Sequence, residues 1–171
     1  MGDKKDLQGK EAIEKIHEIA EATNTCMFCT HLGSVPFAAR PMAVQQVDDE
    51  GRVWFLSNHS SNKDQDIKAQ GQAQLIFAHP DKYEFLSLYG TAESFYDREK
   101  IEALWSPLAK AWFPEGKDDP NLSVIKFSAI EGHYWDTQSG KLVSLLKIVI
   151  SAATGNRSDD GGVEGGLNIA G

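Results

Sequence analysis

Apolar and polar positions follow two different periods along the chain. Between Lys10 and Ala22, Ile13, Ile16, Ile19 and Ala20 form a stripe with charged residues between them, which predicts an amphipathic helix over about 10–22. The period then shortens. Cys26–Leu32 and Ala38–Val47 are β-rich runs separated by Gly33-Ser34-Val35-Pro36, and Arg52–Ser57 returns as a strand after the turn Asp48-Asp49-Glu50-Gly51. Ser60–Gln70 predicts a short polar helix, capped by Ser60 or Ser61 and ended by Gly71. Gln74–Ala78 and Tyr83–Phe95 predict two more strands, the second with Gly90 as a bulge or close-approach point. Asp97 caps a helix over Arg98–Leu104, and a further helical stretch lies near Leu108–Phe113, before Pro114-Glu115-Gly116. Val124–Asp136 predicts a final long strand, closed by Thr137-Gln138-Ser139-Gly140, whereas Lys141–Ala153 is ambiguous between strand and helix.

Strands joined mostly by hairpins, with helices inserted between them, predict a mainly β domain, a small antiparallel barrel, closed or half-open. The end of the chain differs in kind. Residues 155–171 hold six of the fifteen glycines and little that could pack, so the expectation is a domain over 1–154 and a disordered Gly-rich tail over 155–171. The 171 residues, 41% hydrophobic and 25% charged, suit one globular domain.

The 17 Lys and Arg against 25 Asp and Glu give a net charge of −8, which argues against a nucleic-acid partner or an anionic membrane surface. An anionic ligand must therefore be held by a few locally placed cations. The first residues show no apolar leader, and the run Leu142–Ala153 is short and interrupted by Lys147, so the expectation is a soluble cytoplasmic chain without a membrane partner. Cys26 and Cys29 stand in a strand, where positions three apart face opposite sides, so they read as two ordinary thiols. The five histidines lack metal-ligand spacing, and phosphate-loop, dinucleotide and nucleophile-elbow motifs are missing.

Two segments carry candidate chemistry. Arg40-Pro41-Met42-Ala43-Val44-Gln45 is a strand beginning with a cation, and Phe55-Leu56-Ser57-Asn58-His59-Ser60-Ser61-Asn62-Lys63 is a strand end running into a helix start. Paired as a hairpin, they would bring Arg40 to the hydroxyls of Ser57, Ser60 and Ser61, the free N–H groups of the helix N-terminus and the Lys63 ammonium. That combination suits a phosphate monoester. Trp54, Trp105 and Trp112 read as core or interface residues.

These two segments resemble the flavin-binding strands of the pyridoxamine 5′-phosphate oxidase-like split barrels. Gly132-His133-Tyr134-Trp135 resembles that family's late strand with a tryptophan at the flavin. The resemblance spans about Lys10 to Ala153 and is strongest to the general stress protein branch. It implies a split β-barrel flanked by α-helices and a homodimer with FMN at the subunit interface. Arg40 and Lys63, helped by Ser61, would hold the phosphate. Met42, Ala43 and Val44 would run beneath the isoalloxazine ring, Leu56 and Ser57 would touch the ring or ribityl chain, and Trp135 of the partner subunit would pack near the flavin.

Departures from the family pattern bear on activity. Asn62 stands in the phosphate motif where the oxidases carry a second cation, and Gln45 replaces a basic residue. Phe85 replaces a flavin-contacting glutamine, and Lys141-Leu142-Val143 lacks the histidine of the substrate-binding pair. The resemblance thus implies a flavin-dependent oxidoreductase of unspecified substrate rather than a vitamin B6 oxidase, the alternative being a non-catalytic flavin-binding or flavin-buffering protein. The adenylate of FAD would lie beyond these residues, so FAD stays open beside FMN.

Overall fold

The structure, a computed structural model, describes residues 3–137 and 162–169. Among the described residues, three α-helices pack on ten strands, so the protein is mainly β. The strands are β1 (Asp3–Lys4), β2 (Leu7–Gln8), β3 (Thr25–Thr30), β4 (Ala38–Ala43), β5 (Gln46–Val47), β6 (Val53–Asn58), β7 (Gln72–His79), β8 (Glu84–Phe95), β9 (Leu122–Thr137) and β10 (Gly162–Asn168). Helix α1 is Gly9–Thr23, α2 is Asn62–Ala69 and α3 is Arg98–Leu104. Ala109–Ala111, inside the helical stretch expected near Leu108–Phe113, is a single 3-10 turn.

Period-two burial explains the strands. In β6, Val53 and Phe55 join Phe28, Leu75, Phe77, Leu88 and Phe127 in a main core, against which α1 lays Ile16 and Ile19. The alternate residues Trp54 and Leu56 face a second core with Ile101, Leu104, Ala109 and Phe113. Strand β6 is therefore covered on both faces, and three residues separate its end at Asn58 from the start of α2 at Asn62. The expected local signals appear: Ser61 caps α2, Asp97 caps α3, and Gly51 turns the β5–β6 hairpin at φ +74°.

The sheet runs β1-β10-β9-β8-β7-β3-β4, with β6 joined to β9 and β5 to β6. It is an open, mixed sheet: most neighbours are antiparallel, but β10 takes β1 and β2 in parallel. The wholly antiparallel expectation is corrected there, because the N-terminal strands enter alongside the edge that β10 provides.

Two further expectations change. Residues 162–168, expected in a disordered tail, form β10, antiparallel to Glu131–Thr137 of β9. Val163 and Leu167 are buried on one side of the strand. Between them Gly165 admits the Lys5 carbonyl, to which an added Cβ would stand at 1.9 Å. The glycines mark a close approach here rather than an unpacked chain. The ambiguous segment 141–153 and tail residues 155–161 lie outside the described residues.

The Ala38–Val47 run is also not one strand paired with Arg52–Ser57. Only β5 pairs with β6, while β4 pairs with β3. The chain changes partner where Val44 N–H donates to Asn24 O (2.9 Å) and Gln45 N–H donates to Trp54 O (2.9 Å).

Candidate functional site

Because β4 leaves β6, the two strands border a cavity of about 270 Å³ instead of a continuous ladder. Arg40, Met42 and Ala43 come to it from β4, Leu56 and Ser57 from β6, and Lys63 from the first turn of α2. Trp112 and Phe113 close another side from the segment after α3.

Arg40 is held before any ligand arrives. Its Nη1 donates to Thr30 Oγ1 at 2.7 Å and its Nη2 to Asp66 Oδ2 at 3.2 Å. Thr30 Oγ1 donates onward to Asp66 Oδ2 at 2.8 Å, and His31 Nε2 lies 2.6 Å from Asp66 Oδ1. Burial opposes charge on Asp66, but the hydrogen bonds from Thr30 and His31 and the charges of His31 and Arg40 outweigh it, holding its carboxyl below the usual range. Asp66 is thus a fixed anion that orients the guanidinium.

Lys63 is different. Its Nζ donates to Ser61 Oγ at 3.2 Å, and among the described residues no carboxylate pairs with it. Burial, then the Arg40 charge, push its ammonium below the ordinary lysine range, with Asp64 opposing. Asp64 itself is buried and turned to Lys68 Nζ, at 2.6 Å, and to the Ser94 hydroxyl. Two like charges therefore converge on one cavity, and Lys63 lacks a compensating partner. Ser57 Oγ is buried without a hydrogen-bond partner among the described residues. Ser61 caps α2, whose first-turn N–H groups lie beside Lys63.

Of the residues expected from the sequence, Arg40, Met42, Ala43, Leu56, Ser57 and Lys63 meet at this cavity, and Ser61 touches it through Lys63. Val44 instead packs on the main core, and Asn62 is exposed on α2. Trp135 is not brought to the cavity. It lies on β9 opposite Phe85 and Glu164, with its ring 4.5 Å from that of His133. Asp66, Thr30 and Trp112 were not anticipated. Asp66 follows Lys63 by three residues on α2, a spacing that places both on one helix face, and that signal could have found it.

Comparison with known proteins places the chain by family and fold. A family model described as "Pyridoxamine 5'-phosphate oxidase like" matches residues 11–159. Protein bli-3 of Neurospora crassa is 28% identical over 105 residues, covering 56% of this chain and 50% of that protein, so the chain spans about half the length of that curated relative. A structure described as general stress protein 26 from Jannaschia sp. CCS1 matches with a TM-score of 0.77 and 24% identity, over 92% of this chain and 98% of that one. The general stress FMN/FAD binding protein from Xanthomonas citri matches with a TM-score of 0.65 and 28% identity, over 76% of this chain and 92% of that one.

Proposed function

The chain belongs to the pyridoxamine 5'-phosphate oxidase like family, and from that premise we propose that its β4–β6 cavity binds FMN in a homodimer of split barrels. The observation that carries this reading is the convergence of Arg40 and the unpaired Lys63 on a cavity with apolar walls. A phosphate would relieve the repulsion between the two cations, take the free N–H groups of α2 and offer an acceptor near the buried Ser57 hydroxyl. The 28% identical Xanthomonas relative, an FMN/FAD binding protein, supports a flavin.

When bound, a flavin supplies one- and two-electron transfer, and the protein supplies binding, orientation and exclusion of water. Asp66 and Thr30 keep Arg40 aimed, so little side-chain entropy is lost when an anion arrives. Met42 and Leu56 give apolar surface for a planar ring, and Gln45 and Asn58 also line the cavity. We assign a flavin-dependent oxidoreduction in the cytoplasm, with substrate unspecified. A second reading, a flavin binder without turnover, is favoured by one observation: among the described residues the only ionisable ones lining the cavity are Arg40 and Lys63, and no carboxylate or imidazole of those residues stands there as a general acid or base.

The test is a pair of titrations. Arg40→Ala with Lys63→Ala is expected to weaken FMN by at least about tenfold per cation, since each charge-assisted hydrogen bond contributes ~1.5–3 kcal/mol. Riboflavin, which lacks the phosphate, should bind the variant nearly as it binds the unaltered chain. Equal losses for the two ligands would overturn the phosphate placement.

A further inference from the structure

We infer that Trp112 is a binding residue of this site, the aromatic wall on which the flat ring of the ligand lies; this rests on the flavin reading and adds a residue expected in the core or at an interface. Trp112 is 78% exposed, whereas Phe113 beside it is 8% exposed. Three of the four tryptophans have a ring partner in the chain: Trp54 with Phe95, Trp105 with Phe113, and Trp135 with His133. Among the described residues Trp112 has no ring partner, and its indole N–H donates no hydrogen bond. Its surroundings are nonetheless fixed. Trp112 and Phe113 N–H both donate to Ala109 O at 3.0 Å, Gly116 N–H donates to Phe113 O at 2.9 Å, and Ala109 and Phe113 are buried in the second core.

An indole on an anchored turn, left in water at the rim of a cavity, is preorganised for a guest rather than needed for folding. The cavity has a cationic region at Arg40 and Lys63, apolar lining from Met42 and Leu56, and this unpartnered indole. Together they select a planar aromatic ring joined to an anion by a short chain. The two ends of such a ligand are separable by experiment: the cations read its phosphate, and Trp112 reads its ring.

Trp112→Ala and Trp112→Phe should be titrated with both FMN and riboflavin, with sedimentation of the flavin-free proteins alongside. Trp112→Ala should weaken both ligands by about tenfold, within the range expected for stacking a flat ring on an aromatic side chain. Trp112→Phe should recover most of that loss, and neither change should alter sedimentation or shift Tm appreciably, because the side chain is exposed. Binding of both ligands by Trp112→Ala within about twofold of the unaltered chain, inside the effect of a single weak contact, would overturn the inference. Loss of binding accompanied by dissociation of the flavin-free protein would also overturn it, assigning the indole to a subunit contact. If the unaltered chain bound neither flavin, the cofactor reading itself would fall; that result is distinct from an unaltered chain that binds and a Trp112→Ala variant that binds equally well.

Discussion

Asp48 shows how much one carboxylate can organise. It accepts from Trp54 Nε1 at 2.8 Å, from Arg52 Nε at 2.7 Å, and from the backbone N–H groups of Glu50 and Arg52 at 3.1 and 3.0 Å. Burial opposes its charge, but the bonds from Trp54 and Arg52 prevail, so the carboxyl titrates below the usual carboxylate value. A folded value below the unfolded one, near ~4, means the stabilisation is complete above that pH and is lost as pH falls through the folded value. Asp66 acts in the same sense, whereas Glu84, raised by burial, acts in the opposite one. Asp48→Ala strands the Trp54 indole N–H and opens the turn, so urea unfolding at pH 7 should show a loss of ~2–3 kcal/mol. Its stability should also fall less steeply than that of the unaltered chain on acidification below about pH 4. An acid limb parallel to that of the unaltered chain would show that Asp48 is not the titrating anchor.

Among the elements, β8 and β9 lie against each other over most of their length and shift register between Tyr89 and Gly90. A Cβ on Gly90 would stand 2.1 Å from Ser128 O, so Gly90→Ala must move backbone, not a side-chain tip. We expect Gly90→Ala to lose more than about 2 kcal/mol in urea. Gly33→Ala, where an added Cβ meets nothing within 4 Å, should stay within about 0.5 kcal/mol and serves as the control. Glycines also mark how far the sequence is legible. The Gly90 bulge, the Gly51 turn and the Ser61 and Asp97 caps could be read because each depends on a few neighbouring residues. Of the candidate site, Arg40 and the Ser61–Lys63 helix start could be picked out because their chemistry is local. What pairs with what was not. The switch of the chain from β3 to β6 at Val44–Gln45, and the seat of β10 between β9 and the N-terminal strands, depend on distant partners that periodicity does not encode. Gly165 misled because a missing side chain signals either an unpacked chain or a close approach, and only the neighbour, Lys5, decides which. Trp112 departs from the core half of its expectation for the converse reason, since a large apolar residue need not be buried when it borders a cavity.

At the scale of the whole molecule, the chain carries an acidic excess of −8, yet one face of its sheet holds a group of exposed apolar side chains. Met27 pairs in register with Ile76, Ile76 with Ser87, and Phe85 with Trp135, so these side chains share a face. Met27, Ile76, Phe85 and Trp135 on it are 36–42% exposed. A face of this kind costs solubility unless it is covered, and the proposed homodimer offers a second copy of the same face. Two copies each at −8 would repel at long range, so the association must be carried by short-range burial and should be strengthened by added salt. Met27→Glu with Ile76→Glu places charge on the neighbouring β3 and β7 without touching either core, and should leave far-UV circular dichroism unchanged while sedimentation shifts to the monomer. If the flavin site draws on both subunits, the same variant should lose FMN affinity although every cavity residue is intact, because binding and association are then linked. A variant that stays dimeric would place the interface elsewhere. A monomer that binds FMN as tightly as the unaltered chain would show that one β4–β6 cavity, with Arg40, Lys63 and Trp112, suffices.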